Sequence, residues 1–244
     1  MSAWGGKMSK FSSRLFACLI VTGLAGCATV PEIPFDHASN PNIKTIGLLE
    51  PSMSPTGVVW LASDIGQSMG LIGALVDAGM QANRDSKFES LLAAQGVKPQ
   101  DVFVQDVHAA LAAHGYTVTD IHEPRPSSDL LKTYPKGGDG TDAYLDIVVY
   151  NYGYVASGIG DSTPYRPFFA ARCRLVRASD GAVLMQDAVV YNPVGPASKV
   201  VTISPDPAYQ FTDFDALMAD APATVKGLNA AFAASANAVG TLVQ

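Results

Sequence analysis

The feature that most constrains the fold is a pair of β-prone runs joined by an Asp-Gly dipeptide. Residues 168–177 and 182–191 are rich in apolar, β-forming residues, and Asp180 and Gly181 stand between them. An Asp-Gly pair in this setting is typical of a β-hairpin, because both residues tolerate the positive φ of a tight turn. Residues 144–155 (YLDIVVYNYGYV) form a third such run just upstream. The sequence therefore predicts an antiparallel meander of three strands.

The run at residues 144–155 also predicts a surface patch. Residues two apart in a strand share a face, so the run's aliphatic side chains are expected on one side and its tyrosines on the other. Two arginines share a face of the next strand, and an aromatic and cationic surface of this kind favours contact with another protein. Ordinary cross-strand packing on a half-exposed sheet is the alternative. The candidate interaction patch comprises Tyr150, Tyr152, Tyr154, Arg172 and Arg174.

Helical segments precede the meander. A short strand at residues 44–50 is followed by a Gly- and Ala-rich stretch, residues 64–80, and by a second helical piece at 86–94. The Gly-rich stretch is too short to span a bilayer and is interrupted by polar residues, which favours a buried, closely packed helix over one that contacts a membrane or partner. Pro99 suits the first turn of another helix, and a strand at 116–121 follows it.

The C-terminal segment completes the pattern. From residue 222 onward, apolar residues recur at helical spacing and form a seam that can cover one face of a sheet. Strand, helices, strand, meander and terminal helix together predict one α+β domain over residues 44–244. Its sheet is expected to be mixed and largely antiparallel, with helices packed on it.

The N-terminus has the pattern of an export signal. Lys7, Lys10 and Arg14 precede an apolar run at residues 15–24, with no acidic residue before Glu32. This is the order of a charged n-region and a short h-region. The apolar run is about half of the ~20 residues that a transmembrane helix needs, so we expect cleavage and not a permanent span.

The apolar run ends in Leu24, Ala25, Gly26 and Cys27, which closely resembles the lipobox of bacterial lipoproteins. That resemblance implies signal cleavage between Gly26 and Cys27 and attachment of acyl chains such as palmitate to Cys27. Ala28 follows, and among Gram-negative lipoproteins this implies export to the periplasmic face of the outer membrane. The alternative is a buried cysteine in an ordinary first helix. Several acyl chains would make the membrane anchoring effectively permanent.

Between the lipobox and the domain lies a proline-bearing polar stretch. Residues 27–43 contain Pro31, Pro34 and Pro41 and few large apolar side chains. We expect an extended tether with a reach of roughly 45 Å, which would let the domain stand clear of the membrane.

The order of elements resembles the periplasmic domains of small outer-membrane lipoproteins. This loose group includes the curli secretion lipoprotein, the lipoprotein activators of penicillin-binding proteins and the amino-terminal domain of the Tol-Pal translocation protein. The segments that carry the resemblance are LAGC, IKTIGLLEP, LAAHGYTV, YLDIVVYNYGYV and RLVRASDGAVLMQ. It implies a domain that works through partners in envelope assembly, secretion or cell-wall maintenance.

Charge and cysteine content exclude several classes of function. Without residues 1–26, the chain keeps 13 Lys and Arg against 22 Asp and Glu, a net charge of −9. A surface this acidic disfavours nucleic-acid binding and electrostatic membrane docking. Cys173 would be the only remaining thiol besides Cys27, so no intramolecular disulfide is expected. We expect Cys173 to be a buried core residue.

The sequence contains no recognisable catalytic or metal-binding motif. Its four histidines show no zinc-ligand spacing. The GDS tripeptide at residues 160–162 resembles a lipase nucleophile block, but no histidine follows His122 to complete a catalytic set. Asp139 and Asp142 lie in a Gly-rich loop without the alternating ligands of a calcium site. Phosphate-binding and dinucleotide-binding motifs are missing as well. No cofactor or metal is predicted.

We therefore expect a non-enzymatic, lipid-anchored envelope protein that acts through protein contacts. Its partner would be another envelope protein or a second copy of this chain. The alternative is a binding module for a small ligand or a glycan, using the tyrosine face and the loop at residues 122–142.

Overall fold

The computed structural model describes residue 1 and residues 31–61, 70–136, 140–158, 163–194 and 199–244. Within these ranges the strands are β1 (Thr45–Leu49), β2 (Ser52–Met53), β3 (Val58–Leu61), β4 (Thr117–Ile121), β5 (Ala143–Ala156), β6 (Arg166–Arg177), β7 (Val183–Tyr191) and β8 (Val201–Ile203). The helices are α1 (Gly70–Ala94), α2 (Pro99–Ala113), α3 (Phe214–Ala219) and α4 (Ala221–Leu242).

All described strands belong to one mixed sheet of order β4-β1-β5-β6-β7-β8. The long pairings of β5 with β6 and of β6 with β7 are antiparallel, whereas β1 with β4, β1 with β5, and β7 with β8 are parallel. The predicted α+β class and the three-strand meander are confirmed. The Asp-Gly turn lies where the sequence placed it, and Gly181 adopts a φ of +75° there.

The strand before the first helix runs further than the sequence indicated. β1, β2 and β3 pair successively along β5, all parallel to it, as one interrupted strand. β2 and β3 have only two and four residues, so their local pattern was too short to predict a strand. The parallel return from β1 to β4 passes through α1 and α2, because parallel strands need a crossover connection.

The helices cover one face of the sheet and form the main core with it. Phe103 of α2 lies against Phe169 of β6, with ring centroids 4.9 Å apart, and Phe232 of α4 packs on both rings. Phe88 of α1 reaches Tyr154 of β5 at 5.9 Å. The apolar seam predicted for the last helix therefore does face the sheet. The two helical pieces expected at 64–80 and 86–94 form one helix from Gly70 onward, and residues 64–69 lie outside the described ranges.

The opposite face of the sheet is covered over one half by the segment from Ile121 to residue 136. Leu131 of this segment forms a second small core with Leu49, Tyr144 and Ala178. The other half of this face, towards the end where β5 pairs with β3, carries no helix among the residues described. The sheet thus has a fully covered helix face and a partly open second face.

Residues 31–43 lie on the domain, which corrects the expectation of an extended tether over 27–43. Ile33 and Gln186 exchange two backbone hydrogen bonds, at 2.8 and 2.9 Å, along the outer side of β7. The Asn40 side chain accepts a hydrogen bond from Arg177, and Ile43 is buried in the core. The free part of β7 pairs with this segment because its backbone groups would otherwise lack partners.

Cys173 is fully buried on the helix face of β6, as expected for a core residue. Burial raises the pKa of its thiol to about 12.

No helix within the described ranges is both long enough and apolar enough to cross a membrane.

Candidate functional site

The predicted tyrosine and arginine patch does not form as a single surface. β5 pairs with β6 in regular register up to Val149, and a β-bulge then inserts one residue before Asn151. Beyond a bulge the side chains change faces. Tyr152 and Tyr154 therefore point into the helix face, with exposed fractions of 1% and 0%, while Tyr150 remains on the open face at 39%.

The two inward tyrosines are core residues. Tyr152 packs edge-to-face on Phe232, and Tyr154 donates a hydrogen bond of 2.7 Å to the backbone carbonyl of Thr224 in α4. Burial is the main cause that raises the pKa of Tyr152 to about 12, and burial also raises that of Tyr154. The expectation that both belong to an exposed interaction patch is wrong.

Arg174 does not join Tyr150 and Arg172 either, because the covering segment lies over it. It faces the covered half of the second face, where its Nε donates to Gln186 Oε1 at 2.7 Å and its Nη1 lies 3.3 Å from the Tyr134 hydroxyl. It therefore helps to hold the covering segment onto the sheet and is not available to a partner.

Asp146 is the centre of this buried polar cluster. Its carboxylate is fully buried and forms an ion pair with Arg125. It also accepts hydrogen bonds from the Leu131 backbone N–H at 2.8 Å and the Tyr134 hydroxyl at 3.0 Å. Burial is the main cause that raises the Tyr134 pKa to about 12, with the Asp146 charge second. Because every partner of this carboxylate lies in the covering segment, the cluster acts as a clamp.

Of the five residues of the predicted patch, Tyr150 and Arg172 do lie together. The Arg172 guanidinium lies 5.2 Å from the centre of the Tyr150 ring, a cation-π geometry. Burial raises the pKa of Tyr150, and the Arg172 charge partly opposes that rise. Strand pairing places further partly exposed side chains on the same face. We call this surface the open half-face; it comprises Trp60, Tyr150, Arg166, Phe168 and Arg172.

A second candidate site lies at the opposite side of the sheet. A groove of about 430 Å³ opens between α2 and the carboxyl ends of β1 and β4. We call it the edge groove. Its apolar wall includes Leu48 and Val104, and its polar groups include Glu50, Asp101 and Asp120. A volume of several hundred Å³ with apolar walls and a few polar groups is typical of ligand sites.

Two histidine and carboxylate pairs line the edge groove. His108 Nε2 lies 2.7 Å from Asp120 Oδ1, and His122 Nδ1 lies 3.7 Å from Glu50 Oε2. Gln100 of α2 donates to the other Glu50 oxygen at 2.9 Å. The spacing of these residues in the sequence did not predict that they lie close together. The available signal was that the ends of neighbouring parallel strands meet at one edge, where α/β proteins often bind ligands.

β4 borders the edge groove and forms one edge of the sheet. The Thr117 N–H donates to Lys44 O and the Ile121 carbonyl accepts from the Glu50 N–H, so these residues direct their backbone groups towards β1. The backbone groups of Val118 and Asp120 must then point outward, because successive residues of a strand alternate. Among the residues that the structure describes, no strand pairs with this outer side.

Several sequence expectations fall outside the described residues. Gly26 and Cys27 of the lipobox are among them, as are the GDS tripeptide and Asp139. Asp142 is described, and its carboxylate accepts the backbone N–H groups of Lys44 and Thr45 at 2.8 Å. Within the described ranges, no group of three or more His, Cys, Asp or Glu side chains is placed to hold a metal ion.

No family model matches this chain, and no curated protein matches it. Among solved structures, the Xanthomonas campestris protein XCC0632 is 14% identical, with a TM-score of 0.39 over 88% of this chain and 92% of that one. A Helicobacter pylori homologue of a neuraminyllactose-binding hemagglutinin is 12% identical, with a TM-score of 0.34 over 83% and 87%. A Caulobacter crescentus lipoprotein is 14% identical, with a TM-score of 0.29 over 60% and 81%. At these values the similarities assign no activity, ligand or partner to this chain.

Proposed function

We propose that this chain is a lipid-anchored envelope protein that acts non-enzymatically, by binding an extended segment of a partner protein at β4. The observation that carries the proposal is the unpaired outer side of β4 beside the edge groove. A free strand edge binds extended peptides through backbone hydrogen bonds, while neighbouring pockets select the side chains. The lipobox sequence supports the anchor, which would hold this edge at a membrane surface.

The charge of the edge groove defines the partner segment. Glu50, Asp101 and Asp120 contribute three carboxylates, while Lys98 forms only a long ion pair with Asp101, at 3.9 Å. A Lys or Arg side chain in the partner segment would complement this charge. The matching segment is therefore extended and carries at least one basic residue.

Site-specific crosslinking in intact envelopes tests the partner site. A photoreactive residue at Thr117, which is exposed on β4, should capture one defined protein. Thr119→Lys should abolish that product, because an edge lysine opposes strand addition. The matched control is Thr202→Lys on β8, the edge strand at the other side of the sheet, which should leave the product unchanged. Equal loss with both variants would contradict a site at β4.

The anchor has a separate test. Cys27→Ser should abolish acylation and leave an unprocessed precursor, detected by its larger mass and by the lack of lipid label. Normal maturation of this variant would refute the lipobox interpretation while leaving the β4 site to be judged by crosslinking.

The dimensions of the edge groove favour a second candidate function, the binding of a small ligand such as a cell-wall fragment. Its volume suits a small molecule, and its carboxylates and the Gln100 amide could bind hydroxyl or ammonium groups. A ligand should raise the melting temperature of the wild-type domain and have less effect on Glu50→Gln. The matched control is Asp213→Asn, whose residue caps α3 away from the groove.

A further inference from the structure

The contacts that hold Pro31 and Ile33 to β7 limit how far the domain can stand from a lipid anchor on Cys27. The antiparallel bridge between Ile33 and Gln186 fixes the segment to β7, and the Gln186 side chain donates a hydrogen bond of 2.9 Å to the Pro31 carbonyl. Cys27 precedes Pro31 by four residues. Whatever their conformation, four residues span at most about 14 Å.

Pro31 lies on the side of the sheet that includes the open half-face. Gln186 and Arg174 pair across β6 and β7 and share the face opposite the helices, so the contact between Gln186 and Pro31 places Pro31 on that side. Arg172 of the open half-face is two residues from Arg174 on the same face of β6, so Pro31 and the open half-face lie on one side of the sheet.

The chemistry of the open half-face suits a membrane interface. Trp60 and Tyr150 are among the most exposed large apolar side chains in the described ranges, at 48% and 39%. Tryptophan and tyrosine favour the headgroup level of a bilayer, and arginine side chains extend towards its phosphates. Arg166 and Arg172 supply those cations, with the Asp129 carboxylate 3.7 Å from Arg172 as the neighbouring anion. The acidic edge groove lies at the far side of the sheet, beyond β5 and β1.

We propose that the open half-face rests on the phospholipid surface into which the acyl chains of Cys27 insert. The proposal depends on the proposed acylation of Cys27 and adds an orientation to it. The half-face turns towards the lipid headgroups, the helix layer turns away, and β4 remains accessible to a partner. The short link to the anchor keeps the face at the bilayer despite the overall negative charge of the chain, because tethering raises its local concentration there.

Trp60 provides a direct probe. Once the signal segment with Trp4 is removed, Trp60 is the only tryptophan in the chain. The mature lipidated protein is inserted into vesicles of phosphatidylethanolamine and phosphatidylglycerol with brominated acyl chains, which quench nearby tryptophan. Interfacial side chains lie within the outer ~5–10 Å of the bilayer, so we expect Trp60 fluorescence to fall about two-fold relative to unbrominated vesicles.

Matched single-tryptophan variants separate the face from the anchor. Trp60→Phe with Tyr150→Trp should be quenched to a similar degree. Trp60→Phe with Met80→Trp places the probe on α1, in the helix layer, and should be unquenched. Arg166→Glu with Arg172→Glu should reduce the quenching of Trp60.

Each outcome has a distinct meaning. Flotation of the protein with the vesicles, acyl chains on Cys27 and no quenching of Trp60 would overturn the docking proposal while leaving the anchor intact. Equal quenching at Trp60 and at the Met80 position would also overturn it, because the domain would then have no preferred face. Absence of acyl chains on Cys27 would overturn both the anchor and the docking.

Discussion

Tyr150 and Tyr152 lie two residues apart on β5, yet their side chains occupy opposite faces of the sheet. The β-bulge between Val149 and Asn151 is the cause, since it adds a residue to β5 without adding one to β6. Tyr150 contacts Arg172 on the open half-face, whereas Tyr152 packs against Phe232 in the helix-side core. One inserted residue thus separates a surface aromatic from a core aromatic.

This separation predicts contrasting effects of two similar substitutions. Tyr152→Ala should lower the free energy of unfolding by about 3–5 kcal/mol, because it removes a buried aromatic ring from a packed core. Tyr150→Ala should change it by less than about 1 kcal/mol, since only an exposed cation-π contact is lost. Urea unfolding of the chain expressed without residues 1–27 measures both values. Equal losses for the two variants would argue against the bulge.

The buried carboxylate of Asp146 predicts strong coupling between the sheet and its covering segment. Asp146→Asn removes the charge opposite Arg125 and should lower the free energy of unfolding by about 3 kcal/mol or more, because a buried cation is left without its partner. Arg125→Met should also destabilise the protein. A double-mutant cycle should give a combined loss well below the sum of the single losses. Additive losses would show that the two side chains do not interact.

The backbone around Gly153 predicts that β5 tolerates no side chain at this position. Its φ is +137°, and a Cβ atom there would lie 2.0 Å from the Val58 carbonyl oxygen of β3. Gly153→Ala should therefore lower stability by more than about 3 kcal/mol, through strain and loss of β3 pairing. The control is Gly79→Ala in α1, where a Cβ meets nothing within 4 Å and the gain in helix propensity is about 1 kcal/mol. Thermal unfolding distinguishes the two, and a stable Gly153→Ala variant would contradict the close approach of β3.

Two aspartates near the β6–β7 hairpin predict pH effects of opposite sign. Burial raises the pKa of Asp187 above its ordinary value of 3.8. The folded state then binds the proton more readily than the unfolded state, so stability falls as pH rises from 3.8 through the higher folded pKa. Asp187→Asn should be more stable than wild type at pH 7, by less than about 1 kcal/mol, and should lose this advantage in acid.

Asp180 provides the comparison. A hydrogen bond from the Ala182 backbone N–H is the main cause that lowers the pKa of this carboxyl below 3.8. Its stabilising contribution is present above 3.8 and is lost as pH falls through the lower folded pKa. Asp180→Asn should therefore be less stable than wild type at pH 7. Denaturation curves recorded between pH 2 and pH 7 test both signs, and parallel profiles for the two variants would contradict them.

The helices and strands that carry a local sequence signal were predicted correctly. Asp180 and Gly181 marked the hairpin, Pro99 marked the first turn of α2, and the apolar spacing from residue 222 marked α4. Each is a property of a few adjacent residues, so sequence alone suffices. The bulge after Val149 has no such signal, because the run on either side of it alternates without interruption. The prediction for Tyr152 and Tyr154 therefore failed although the strand itself was correct.

The candidate sites likewise divide into features that adjacent residues determine and features that long-range contacts determine. The sequence alone determined the class of the domain, the acidity of the chain without residues 1–26 and a lipobox-like segment ending in Cys27, because these depend on composition and adjacent residues. Only the tertiary structure brought Glu50, His108 and His122 into one groove and attached Pro31 to β7, since these contacts join residues from distant parts of the chain. Register and strand order decide such contacts, and both depend on how the whole core packs.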